Sequence, residues 1–299
     1  DGLKTIHEFV PAYPRQKKDI SYGLSSNWQK NPDKVEQFFG KPTPGAANGK
    51  PIAGEAGNVK YSVRRGWHKK PFQLSLSTKT GGAQIRYTLD GTKPNEDNGN
   101  LYGSPLTIDS TTTVRATAFK PSFKPSSPTT RTFLFVNDII RQSPDGLPPE
   151  SFPYNWGENK VDYGMDSRIV DDPRYSKELI AGFRSLPSFS VVMNLDDLFD
   201  RKSGIYANAE WDGREAERPC SVEFIQPDGS KGFQIDCGIR IRGGFSRRRY
   251  NPKHSFRLFF RDTYGPSKLD FPLFGKAGAK TFDNIDLRTF QNYSWHIGD

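Results

Sequence analysis

The sequence predicts a mainly β, multidomain protein. Pro (23) and Gly (28) make up about a sixth of the 299 residues, a share that favours turn-rich strands over helix bundles. Strand-like segments recur at short, regular spacing through residues 58–136. The length leaves room for about two domains. Core material is largely aromatic, with 22 Phe, 12 Tyr and 5 Trp. The chain is otherwise polar, with 34% hydrophobic residues and a mean hydropathy of −0.73.

Residues 1–49 are too few for a complete core. They close on "PTPGAAN" (42–48), a run that reads as a domain exit. Residues 58–136 carry "VKYSV", "FQLSLST", "QIRYTLDGT", "PLTID", "TTVRATAF" and "TRTFLFV", with turns such as Asp90-Gly91 between them. Short strands at this spacing predict a small β-sandwich. The loop "NEDNGN" (95–100) groups oxygen ligands, but the EF-hand pattern is absent and a polar hairpin loop explains it.

Residues 137–187 read as a connector whose aromatics (Phe152, Tyr154, Trp156, Tyr163) pack on a neighbour. It ends in a helix. Asp172 caps it, Pro173 suits its first turn, and Tyr175, Leu179, Phe183 and Leu186 recur at helical spacing as a core stripe. Pro187 stops it. "PSFSVVMN" then reads as a buried strand, "LDDLFD" as a short helix capped by Asn194, and "GIYANA" as another strand.

No apolar run approaches the roughly 18 residues needed to cross a bilayer. The chain opens on Asp1, and its last residues, "DLRTFQNYSWHIGD", stop just after an alternating strand-like segment, so it reads as a piece of a longer protein. The two cysteines flank "SVEFIQPDGSKGFQID". A turn centred between Asp228 and Gly229 sets Cys220 opposite Cys237. If Pro227 and Ser230 close the turn, this is a non-hydrogen-bonded pair, the closer kind, compatible with a cross-strand disulfide. Two buried thiols satisfy the same pattern.

Charge is unevenly spread. The net charge is +9, and eight Lys/Arg lie between Arg240 and Arg261 (Arg240, Arg242, Arg247, Arg248, Arg249, Lys253, Arg257, Arg261), with no acid before Asp262. "GIRIR" alternates, as does "KHSFRLFFRD", so two strands joined by a glycine-containing loop present basic residues on one surface. Glycines let a backbone approach phosphate oxygens, and Arg and Lys neutralise them. Neither a Walker P-loop nor GxGxxG is present. A solvated basic face, paired with acids elsewhere, accounts for the same spacing. The histidines (His7, His68, His254, His296) show no metal spacing, and His254 reads as a core residue. Asp196, Asp197, Asp200, Asp283 and Asp286 belong to no motif, and no catalytic or metal-ligating residue is assigned.

Three of these segments carry family resemblances. "PAYPRQKKDISYG" (11–23) with "PTPGAAN" resembles the C-terminal part of a lamin-tail domain, an immunoglobulin-like module of bacterial surface proteins. "IRYTLDGTKPN", "LYGSPLTI" and "TTTVRATAFKPSFKPSSPTTRTFLF" resemble the chitobiase/β-hexosaminidase C-terminal domain, a β-sandwich appendage without catalysis of its own. "GIRIRGGFSR" (238–247), "NPKHSFRLFF" (251–260) and "LDFPLFG" (269–275) resemble, in order, the N-terminal part of a CotH-type kinase domain.

These resemblances imply a fold of immunoglobulin-like sandwich modules followed by the β-rich front of an atypical, kinase-like α+β domain. The implied divisions are 1–49, 58–136, 137–187 and 188–299. The last resemblance implies ATP and Mg²⁺ as cofactors and protein serines as substrates. Lys253 is then the phosphate-pairing lysine, with Arg240, Arg242, Gly243, Gly244 and Ser246 as supporting candidates. It places the metal-holding aspartates beyond Asp299, so that this piece is itself inactive.

The expectation is a secreted or cell-surface protein with a protein substrate or surface partner. A different reading is a non-catalytic adhesion or scaffold protein whose sandwiches bind polysaccharide or protein. A nucleic-acid binder ranks last, because no stacking aromatics accompany the arginines.

Overall fold

The computed structural model describes residues 8–16, 19–26, 30, 36–156, 159–161, 163–251 and 253–289. His7, His296, Pro252 and the tail from Phe290 lie outside these residues. As predicted, strands dominate and helices are few and short.

Near the N-terminus, β1 (Ser21–Leu24), β2 (Glu36–Phe39) and β3 (Pro51–Ile52) form a three-stranded antiparallel sheet. Phe39 is its buried anchor. The sandwich comes next. Its strands are β4 (Gly54–Glu55), β5 (Lys60–Tyr61), β6 (Gly66–His68), β7 (Phe72–Leu74), β8 (Leu76–Ser77), β9 (Gln84–Thr88), β10 (Asn100–Leu101), β11 (Leu106–Ile108), β12 (Thr112–Phe119), β13 (Phe123–Lys124) and β14 (Thr129–Phe135). The main sheet has the order β10-β9-β12-β14-β6, with β6 parallel to β14. The pairs β7/β11 and β5/β8 cover it. Alternation decides what is buried: Val114, Ala116 and Ala118 of β12 enter a core with Leu74, Ile85, Ile108 and Phe133. Thr113, Arg115 and Thr117 face the other way.

The connector holds α1 (Val136–Ile140), a β15/β16 pair (Asn155–Trp156 with Asn159–Lys160), α2 (Ser167–Val170) and α3 (Ser176–Ser185). Phe152, Trp156 and Tyr163 pack as expected: Phe152 lies against Tyr163 and Phe199, and Trp156 against Tyr206 and His254. Tyr154 does not, being exposed. Asp172 holds the entry to α3. Its carbonyl accepts from Tyr175 and Ser176 and its carboxylate from the Arg174 N–H, so a turn precedes the regular helix. The expected core stripe on α3 is corrected. Leu179 and Phe183 are half-buried, but no residue of the helix is fully buried, and Tyr175 and Leu186 at its two ends are exposed.

The last unit is a five-stranded antiparallel sheet of order β17-β18-β19-β20-β23: β17 (Ser188–Val192), β18 (Arg218–Ile225), β19 (Phe233–Arg242), β20 (Ser255–Phe259) and β23 (Asn284–Leu287). α4 (Leu195–Phe199) and the pair β21 (Leu269–Asp270)/β22 (Thr281–Phe282) complete it. Asn194 caps α4 through the Asp196 N–H, as expected. β17 is an edge strand with only Val192 buried, not an interior strand. "GIYANA" is not a strand. Ile205 and Tyr206 N–H groups donate to the Asp197 and Leu198 carbonyls, so the segment turns back and closes the end of α4. Gly204 permits this: a Cβ there would sit 2.6 Å from the Asp200 nitrogen.

One face of this sheet buries Val222, Ile235, Cys237, Ile239, Ile241 and Leu258. The other face of β18 and β19 meets the sandwich along a polar seam. Thr130 donates to Ser221 at 2.8 Å, and Thr132 and Ser190 hydroxyls bond at 2.7 Å. Glu223, fully buried, lies 3.1 Å from Arg65.

Candidate functional site

On the face of β19 opposite the core, Gln234 and Asp236 meet the sandwich, Gly238 comes next, and Arg240 and Arg242 then reach open surface. Gly238 must be glycine: a Cβ would fall 2.5 Å from the Tyr264 ring and 2.6 Å from a Glu217 oxygen. Register sets Arg240 opposite Arg257, and Arg257 opposite Asp286 of β23. Arg240, Arg242 and Arg257, with Asp212, Gly213, Ile241, Gly243, Gly244 and Arg247, enclose an open pocket of about 580 Å³, and Asp286 lies behind Arg242 and Arg257. Gly243 holds φ +118°, a conformation that favours glycine, and a Cβ on Gly244 would meet nothing within 4 Å.

The pocket is balanced rather than purely basic. Asp286 receives Arg242 Nε at 2.6 Å and Arg257 through Nε at 2.6 Å and a second nitrogen at 2.9 Å. Hydrogen bonding from Arg257 first, then Arg242, holds the Asp286 carboxyl below the usual carboxylate range, and the pair raises Arg257 in turn. Arg247 reaches Asp212 at 3.2 Å. Arg240 donates to the Gly213 carbonyl and stacks over Phe259, its guanidinium carbon 4.7 Å from the ring centre. Outside the pocket, Arg261 pairs with Glu217 at 3.0 Å and Arg248 with Glu210 at 3.8 Å. At least five of the eight cations therefore face a carboxylate, in keeping with the paired-face alternative.

The structure brings together Arg240, Arg242, Gly243 and Gly244. It does not bring Lys253 into the same pocket. The alternation of "KHSFRLFFRD" places Lys253 on a strand, but it lies at an exposed bend before β20, whose first residue is Ser255. The cause is His254. Its N–H meets the Tyr206 hydroxyl at 3.2 Å, its Nδ1 donates to the Ser246 carbonyl at 3.0 Å, and its ring is buried between Trp156 and Tyr206. Those bonds commit His254 to a neighbouring element rather than to the ladder. Burial lowers its pKa, so the ring is neutral. Ser246 belongs to the short 3₁₀ turn (Phe245–Arg247) after the glycine loop, and of that turn only Arg247 lines the pocket. Sequence reasoning missed Asp212, Gly213 and Arg247 as walls and Asp286 as the acid between two arginines. Only the alternation of "NIDL" could have pointed to Asp286.

Among the described residues no group of three or more His, Cys, Asp or Glu is placed to hold a metal ion. Asp212 in the wall and Asp286 behind it are both engaged by arginine, so the pocket suits an anion and not Mg²⁺. The hairpin register sets Cys220 opposite Cys237, as the turn arithmetic requires. Their sulfurs are 3.5 Å apart, both as buried thiols.

Residues 64–131 match the chitobiase/beta-hexosaminidase C-terminal domain family. The match lies inside the sandwich and covers most of it. No curated protein and no solved structure matches the chain. No helix among the described residues is long and apolar enough to cross a membrane.

Proposed function

We propose that the C-terminal sheet is the phosphate-holding part of a CotH-like, ATP-dependent protein kinase domain, in a secreted or surface-associated protein that also carries lamin-tail-like and chitobiase-type sandwich modules. One observation carries this reading: four guanidiniums converge on a glycine-lined pocket with only two carboxylates between them. Arg240, Arg242 and Arg247 take the phosphate oxygens, and the Gly243–Gly244 backbone lies open beside them. Asp286 sets the angles of Arg242 and Arg257. In this reading the Mg²⁺-holding carboxylates lie outside residues 1–299, and the substrate is a protein hydroxyl. In an oxidising compartment the facing Cys220 and Cys237 close into a cross-strand bridge.

The test is calorimetric titration of the 299-residue protein with ATP and with tripolyphosphate. Both bind, and binding weakens as salt rises. Arg240→Ala and Arg247→Ala each reduce affinity roughly tenfold or more, the worth of a charge-assisted hydrogen bond. Lys253→Ala costs less than either. Equal affinity in the wild type and both arginine variants removes the phosphate reading.

The second reading, a non-catalytic adhesion or scaffold protein, is favoured by the internal pairing of the basic residues and by the buried polar seam that fastens sandwich to sheet.

A further inference from the structure

The seam between sandwich and sheet is not closed along its whole length. Beyond the Thr130–Ser221 bond the two layers part, and a cleft of about 640 Å³ opens between β12 and β19. Thr117 of β12 lines it. This residue is 2% exposed, and its hydroxyl has no hydrogen-bond partner. Buried hydroxyls without partners are uncommon, because their desolvation is uncompensated. Across the cleft, Asp236 accepts from the Gln234 amide at 3.1 Å, and Asn58 and Asn95 add further amides to the wall.

The charge of the wall is nearly even. Asp19, Glu55 and Asp236 face Lys93 and Lys124, and burial holds the Asp236 carboxyl above its usual range. A strong anion or cation gains little there. Carbon surface comes from Phe119, Tyr264 and the rigid prolines of the rim. A ligand suited to this wall carries many hydroxyls that both donate and accept, apolar C–H faces and no net charge.

We propose that this cleft is a binding site for a neutral saccharide, with the Thr117 hydroxyl and the Asp236 carboxyl as its polar anchors. The cleft volume lies within the usual range for small-ligand sites. The cleft lies at the opposite end of β19 from the arginine pocket, so it stands independently of the phosphate reading and gives the scaffold reading a location.

The test uses the 299-residue protein and three neutral probes, cellotetraose, chitotetraose and maltotetraose, each titrated to about 10 mM. At least one binds. Thr117→Val, which keeps the shape and removes the hydroxyl, weakens that binding roughly three- to tenfold without lowering the melting temperature. Asp236→Asn also weakens it, while Arg247→Ala leaves it unchanged. Two results would overturn the proposal: none of the three probes binding, or Thr117→Val binding as tightly as the wild type.

Discussion

Glu223 and Arg65 form an ion pair in which burial outweighs attraction for both partners. Desolvation raises the Glu223 carboxyl above its ordinary value and lowers Arg65 to about 10. The carboxylate oxygens accept no well-directed hydrogen bond, although Arg65 is 3.1 Å away and Arg131 is 4.0 Å away. Such a pair costs more to bury than it returns, yet breaking it strands a charge. Arg65→Ala alone should therefore lose about 3–5 kcal/mol of stability. Arg65→Met with Glu223→Leu should be neutral or stabilising at pH 7. The sign with pH comes from the raised value: between the ordinary glutamate range and the higher folded value, the folded state binds more protons than the unfolded state. The contribution of Glu223 is therefore best at low pH and declines as pH rises through the folded value. Asp236, raised by the same cause, acts in the same direction. Urea denaturation of wild type and double variant across this range should show the double variant gaining on the wild type as pH rises. A double variant as unstable as Arg65→Ala would show that the pair itself, and not its desolvation, holds the seam.

The Asp90-Gly91 turn acts as an element of the seam as well as of the sandwich. Asp90 accepts from the Thr92 N–H at 2.9 Å, Gly91 holds φ +82°, and the Gly91 carbonyl receives Arg115 at 2.9 Å. A Cβ on Gly91 would lie 3.1 Å from the Met193 carbonyl. Gly91→Ala should cost about 1–3 kcal/mol in thermal denaturation, from backbone strain and the displaced contact. A loss below about 0.5 kcal/mol would mean the layers separate there without penalty. The turn and the strands around it were legible in the sequence because their signals are local: alternation in "TTVRATAF", Asp-Gly between strands, and a hairpin short enough to fix Cys220 against Cys237. Distant partners settled the features that escaped. "GIYANA" turns because α4 needs its carbonyls closed. Lys253 leaves the strand because His254 binds Tyr206 and Ser246. Asp286 reaches Arg242 and Arg257 through a register that local pattern does not fix.

Across the whole molecule, β19 links the two candidate sites. Gln234 and Asp236 line the cleft beside the sandwich, Arg240 and Arg242 line the pocket, and Gly238 between them admits Tyr264 and Glu217. The parallel pairing of β6 with β14 has a mechanical consequence. The chain enters the main sheet of the sandwich at Gly66 and leaves it at Phe135, with both strands running the same way. Tension applied across the ends of the module runs along both strands and loads their ladder in shear, so its bonds must fail together. The antiparallel β12/β14 pair, pulled from its open end at Thr112 and Phe133, peels one bond at a time. Handles at Asn58 and Asn137 should therefore record a higher rupture force than handles at Ser110 and Asn137 in single-molecule pulling. Equal forces would show that the β6/β14 ladder bears no load. Built this way, the sandwich can pass tension to the connector and the C-terminal sheet without coming apart.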